Sequence, residues 1–140
     1  MGDKYIFDSY AWIAYFRQEP GFDCIAGLLE SVAEQDNVVI TCAINLGEVY
    51  YMLCRKQNVE LAQFALDTIA QLPVNIIIPD LKLILLAAKI KARHKISYAD
   101  AFAIQVCIEN DGILISDVPE IHHLKDYLGL KCLKVAELPY

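Results

Sequence analysis

What the sequence lacks narrows the choices first. No uncharged apolar stretch reaches the roughly 18 residues that a helix needs to cross a bilayer, and the opening "MGDKYIFDSYAW" has no basic region followed by an apolar one. The expectation is a cytoplasmic protein with no membrane span. The 5 cysteines, Cys24, Cys42, Cys54, Cys107 and Cys132, are odd in number and form no Cys-x-x-Cys pair. That disfavours a disulfide framework or a zinc site and suits buried thiols in a reducing compartment. No repeat, low-complexity tract or Pro/Gly/Ser-rich linker divides the 140 residues, so 1–140 reads as a single domain. Basic residues are scarce, 12 against 18 acids for a net charge of -6, and a polyanionic partner would need a local basic surface or bound cations.

What is present is apolar residues, 56% of the chain, arranged in alternation. Short continuous apolar runs, "KYIF", "VVIT", "NIIIP", "GILIS" and "KCLKV", read as strands. Between them, "SYAWIAYFR", "FDCIAGLLESVAE", "INLGEVYYMLCRK", "ELAQFALDTIAQL", "LKLILLAAKIKARH", "YADAFAIQVCIEN" and "PEIHHLKDYLG" carry apolar residues at helical spacing. Asp80 and Ser97 are natural caps for two of these helices. Strands alternating with helices, each strand apolar throughout, indicate an α/β sandwich around a parallel sheet buried on both faces. Ligand sites in such sheets gather beyond the carboxyl ends of the strands.

Acids occupy those ends. Asp8 follows "YIF" and Asp117 follows "ILIS". If their strands are neighbours, the two carboxylates emerge side by side and must share a proton or bind a cation. Glu48 lies one turn into its helix, with Met52 and Arg55 at i+4 and i+7, and Asp100 lies in the first turn of "YADAFAIQVCIEN". Each has a plainer reading. Asp8 caps the following helix, Ser97-x-x-Asp100 resembles a capping box, Asp117 caps the last helix, and Glu48 is a solvated helix residue. Their joint occurrence favours a metal site. A ligand role for His94, His122 and His123 is disfavoured, since an oxygen-rich set points to hard cations, and the pair in "EIHHLK" reads as a solvated helix turn.

These stretches resemble the PIN domain, and most of all the toxin nucleases of VapBC-type toxin–antitoxin pairs. "YIFDSYAWIAYF" resembles the family's opening strand, Asp-Ser/Thr and helix, and "NLGEVYY" its Glu helix. "ISYADAFAIQVC" is similar to its Ser-x-x-Asp-Ala segment, and "GILISDVPEI" to the strand leading into Thr-x-Asp-Pro-Glu-Phe. The resemblance implies a five-stranded parallel sheet of order 3-2-1-4-5 between helical layers, a PIN-like α/β/α sandwich. It implies that Asp8, Glu48, Asp100 and Asp117 are catalytic ligands of Mg2+ or Mn2+ in an endoribonuclease, with Ser9 and Ser116 as auxiliary groups. The chain departs from the pattern at Ile115, where the family carries Thr, and at Val118, which separates Asp117 from Pro119. Glu120 then becomes a substitute or auxiliary ligand.

The implied partners are an RNA substrate, a small antitoxin and a second copy of the chain. Lys82, Lys89, Lys91, Arg93, His94 and Lys95 precede Asp100, and Arg55 with Lys56 follows Glu48. Arg55 is the preferred RNA phosphate contact, because it shares a helix face with Glu48. The aromatic cluster Tyr10, Trp12, Tyr15 and Phe16 reads as core or partner interface rather than as base-stacking surface. Two other classes compete with a nuclease. A catalytically silent PIN-like interaction module would keep the fold without the chemistry. A receiver-type signalling domain would need paired acids after strand one and a Lys after strand five, whereas strand one ends in Asp8 alone.

Overall fold

The computed structural model describes residues 2–140. Five parallel strands, β1 (Lys4–Phe7), β2 (Val38–Cys42), β3 (Val74–Ile77), β4 (Ile113–Ile115) and β5 (Lys131–Leu133), pair in the order β3-β2-β1-β4-β5. Seven helices connect them: α1 (Ser9–Phe16), α2 (Phe22–Gln35), α3 (Ala43–Lys56), α4 (Val59–Gln71), α5 (Leu81–Arg93), α6 (Tyr98–Asn110) and α7 (Pro119–Leu128). This is the fold class and strand order that the sequence implied. Among the described residues no helix is long and apolar enough to cross a membrane.

The period of two along β1 divides the core. Tyr5 and Phe7 face a layer built from α1 to α4, with Trp12, Leu28, Val49, Leu53 and Ile69 fully or almost fully buried there. Ile6 faces the opposite layer, where Leu83, Phe102, Ile104 and Ile121 of α5, α6 and α7 are buried. Continuous apolar strands arise because β1 is covered on both faces. At the sheet edge the same composition has another result: β3 leaves Asn75 and Ile76 exposed, with Ile78 beyond it 76% exposed.

Helix ends follow local chemistry. Asp8, Asn58, Asp80 and Ser97 each accept a backbone N–H three residues on and so cap α1, α4, α5 and α6. The last strand stops sooner than "KCLKV" suggested. Glu137 accepts the Lys134 N–H at 2.7 Å and Asp117 accepts the Val135 N–H at 2.8 Å, so side chains take donors that a further ladder would have used. A 3-10 turn, Val135–Glu137, follows.

One buried brace fixes the central strand end. Trp12, half of the aromatic pair that it forms with Phe7 at 4.8 Å, donates its indole N–H to the Thr41 hydroxyl at 3.1 Å. Thr41 in turn donates to the Phe7 carbonyl at 2.9 Å, immediately before Asp8. Thr41→Val keeps the side-chain shape but leaves the indole donor unpartnered, at a cost of about 1–3 kcal/mol. Urea unfolding should show a lower midpoint at unchanged slope, with Thr41→Ser closer to wild type. An unchanged midpoint in the Val variant would show that the brace contributes nothing.

Candidate functional site

The register brings Phe7 opposite Ile115, which sets Asp8 level with Ser116, and Asp117 one residue beyond. Because side chains alternate along a strand, Asp8 and Asp117 leave their strands differently. Asp8 is fully buried, while Asp117 is exposed and turns its Oδ1 onto the Val135 N–H. Asp117 does not cap α7, whose cap position is Val118 with no side-chain bond.

Asp8 Oδ1 accepts the Ala11 N–H at 2.9 Å, but its Oδ2 is buried with no hydrogen-bond partner. The carboxyl is pushed up from 3.8 to about 7, chiefly by burial, which the nearby Ser116 hydroxyl and the Ala11 N–H offset only partly, and further by the charges of Asp100 and Asp117. The capping role and the site role are thus both present, one on each oxygen.

Asp100 occupies the third position of α6, where its N–H donates to the Ser97 hydroxyl at 3.0 Å. Burial raises its carboxyl, Ser97 works against that, and Glu48 and Glu120 add repulsion. Glu48, half-buried on α3, is held at both oxygens. The Ser9 hydroxyl donates to Oε1 and the Tyr51 hydroxyl to Oε2, the latter at 3.1 Å. A buried residue not singled out in the sequence links the two helices: Asn45 Nδ2 donates to the Ala99 carbonyl at 3.2 Å, while its Oδ1 is buried without a partner. A polar residue one turn before Glu48 in an otherwise apolar stretch was the only signal for it.

Glu48, Asp100, Asp117 and Glu120 line one cleft of about 760 Å³ at the carboxyl end of the sheet. Tyr10, Glu19, Lys91 and Lys95 are also part of its wall. Arg55 is not among them. Its guanidinium lies over the Tyr51 ring, 5.2 Å from the centroid. Two of the three histidines are held by other contacts, His122 Nε2 donating to the Ser116 carbonyl at 2.7 Å and His94 packed edge-on against Tyr127, while His123 is exposed on α7.

Among the described residues, no three Asp, Glu, His or Cys side chains converge tightly enough to form a metal cage on their own. The donor set nonetheless suits a hard cation. It is all oxygen, it includes a buried carboxylate oxygen with nothing bound to it, and magnesium keeps several waters while using only one or two carboxylates.

The raised carboxyl couples this site to stability. In chelator, the proton held by Asp8 stabilises the fold in full below about pH 4 and that stabilisation is lost as pH rises through about 7. Asp8→Asn keeps a cap but cannot titrate. The wild type should therefore lose on the order of 4 kcal/mol relative to the variant between pH 4 and 8, read from denaturant unfolding at each pH. Parallel stability curves would show that Asp8 is not held as described.

Comparison with curated protein sequences returned no match. Among solved structures, the chain is similar to one from VapBC2 of Rickettsia felis bound to a DNA fragment from its promoter, at 18% identity and TM-score 0.73, over 94% of this chain and 98% of that one. It is also similar to Mycobacterium tuberculosis VapC20, a sarcin-ricin loop cleaving toxin, at 19% identity and TM-score 0.66, over 79% and 86% of the two chains. FitAcB from Neisseria gonorrhoeae gives 14% identity and TM-score 0.65 over 96% and 99%. At these identities the likeness is one of fold. A family model reaches further: that of the PIN domain matches residues 5–121, a span that runs from β1 into α7 and includes Asp8, Glu48, Asp100 and Asp117, and by that match the chain belongs to the PIN domain family.

Proposed function

We propose that this protein is a divalent-metal-dependent endoribonuclease, the toxin of a VapBC-like toxin–antitoxin pair. The observation that carries the reading is the unpartnered, buried Oδ2 of Asp8, which lies outside the cleft lining but within reach of the charges of Asp100 and Asp117, two of the acids that with Glu48 and Glu120 wall the cleft. Such a grouping is costly unless a cation or a proton offsets it.

Asp8, Glu48, Asp100 and Asp117 are the residues that would hold Mg2+ or Mn2+. When bound, the ion supplies charge neutralisation on the phosphoryl oxygens and an activated water. The chain's own groups set orientation. Ser9 and Tyr51 fix the Glu48 carboxylate, the Ala11 N–H fixes Asp8, and the Val135 N–H fixes Asp117. Glu120 serves as an auxiliary acid facing Asp100, and Ser116 as a hydroxyl beside Asp8. Arg55, stacked on Tyr51, contacts phosphate only along an RNA that leaves the cleft.

Two apolar surfaces suit the proposed protein partners. Ile76, Ile78, Leu81 and Leu85 are exposed beside the unpaired edge of β3, a surface for a second copy of the chain. Tyr51, Val59 and Phe64 are exposed on α3 and α4, a surface for an antitoxin segment that continues to the acidic rim and brings an Arg or Lys toward Asp8 and Asp117. Trp12, by contrast, lies wholly in the core and is no part of either surface.

Expression of the chain alone in bacteria should arrest growth and produce cleaved RNA, and the Asp8→Asn version should do neither. Equal RNA cleavage by both would rule out the assigned site, and no cleavage by either would favour a silent interaction module.

The metal has its own test. Magnesium or manganese should raise the melting temperature, because a ligand that binds only the native state stabilises it. Asp100→Asn preserves the helix start while removing a charge, and should shrink that rise markedly. A metal-dependent shift of undiminished size in this variant would remove Asp100 from the ligand set.

A further inference from the structure

The four aromatic residues of the first helix separate sharply in the fold. Trp12 is fully buried against Phe7 and Phe16, and Tyr15 packs edge-on against Phe16 at 5.0 Å. Tyr10 does neither. It is 43% exposed, is stacked on no other aromatic ring among the described residues, and forms part of the cleft wall beside Glu48, Asp100 and Glu120. An aromatic ring left open in a polar cleft presents a face on which any nucleobase can stack.

The cleft also contains the cations that the acids do not use. Lys91 and Lys95 are exposed in its wall, and among the described residues the only ion pair is Arg17 with Glu19. Neither lysine is therefore tied to a carboxylate, although several lie in the same cleft. Lys91 sits in the last turn of α5, and Lys95 lies beyond its end, where the extended backbone of His94 breaks the helical path; both nonetheless line the one cleft. Two long ammonium side chains so placed suit successive phosphates of a strand that enters between them and the acids.

We propose that Tyr10 forms a base-stacking subsite next to the acidic centre, with Lys91 and Lys95 holding the phosphates of the same unpaired RNA strand. This rests on the nuclease reading and adds to it how the strand is gripped: Tyr10 reads the presence of a base, and the lysines read only charge. Stacking tolerates all four bases, so the subsite favours unpaired nucleotides without selecting a sequence. A paired base would have to leave its stack to reach Tyr10.

The test uses two fluorescent probes of equal charge, a random-sequence hexaribonucleotide and an all-abasic ribose-phosphate hexamer. Binding is measured by anisotropy with the intact chain in calcium, and probe integrity is checked by electrophoresis afterwards. Wild type should bind the base-bearing probe about tenfold more tightly, Tyr10→Phe should keep that preference, and Tyr10→Ala should lose it. Replacing both lysines by Ala should weaken both probes alike and flatten the salt dependence by roughly 0.7 in slope for each phosphate that is no longer neutralised. Equal binding of the two probes by wild type, or an unaltered preference in Tyr10→Ala, overturns the stacking subsite. An unchanged salt slope in the lysine variant overturns the phosphate grip, and failure of both probes to bind overturns the whole proposal. Loss of base preference in a chain that still cleaves RNA leaves the nuclease reading standing. A Tyr10-dependent preference in a chain that cleaves no RNA refutes that reading alone.

Discussion

A carboxylate buried at the end of the central strand constrains most of this molecule. Asp8 has no exposed surface, and one of its oxygens bonds nothing. An ionised carboxyl in that setting loses its hydration without full replacement, so the fold tolerates it only protonated or beside a cation. The surroundings hold it in place all the same. The Trp12–Thr41–Phe7 brace fixes the backbone before it, and the first turn of α1 fixes one oxygen after it. Stability and site chemistry are therefore linked through one group: whatever neutralises Asp8 also stabilises the sheet around it.

The neighbouring acids are held by a different device. Glu48 is fastened by hydroxyls of Ser9 and Tyr51, and Asp117 by a backbone N–H of the 3-10 turn. These contacts offer the carboxylates hydrogen bonds that hold them in defined orientations while their charges remain partly in solvent. Asp100 stands between the two cases, buried like Asp8 but at the start of a helix, where the exposed N–H groups favour negative charge. The arrangement supplies oxygen donors of graded solvation rather than a closed cage, which suits an ion that retains part of its water shell.

Much of this was legible because its causes are local. Apolar runs of four or five residues flanked by helical periodicity reveal strands, and an acid directly after such a run must emerge at the sheet's carboxyl edge. Asp80 and Ser97 announce their helix starts in the same way. The unread parts depend on contacts distant in sequence. Asp117 reads as a direct neighbour of Asp8, yet the register sets it one residue further, and its partner is Val135, 18 residues away. Asn45 bonds the Ala99 carbonyl across 54 residues, and nothing near it in sequence reveals that carbonyl. Arg55 shows a different limit. A spacing of seven keeps it on Glu48's helix face, but about 10 Å further along the axis, which is enough to place it over Tyr51 and outside the cleft.

The position of the cleft follows from topology before any side chain is chosen. From β1 the chain moves outward to β2 and β3 on one side, then returns to lay β4 and β5 on the other. The connections leaving β1 and β4 therefore diverge, and a crevice opens between them at their carboxyl ends. Asp8 and Asp117 lie at that crevice because they are the first residues past those strands, or nearly so. Glu48 comes from the layer on one face of the sheet and Asp100 from the layer on the other, and the Asn45–Ala99 bond joins those layers where they meet. A change that slides one layer against the other would separate Glu48 from Asp100 without altering either residue. The geometry of the acids is thus a property of how the two helical layers are locked together, and the buried amide of Asn45 is part of that lock.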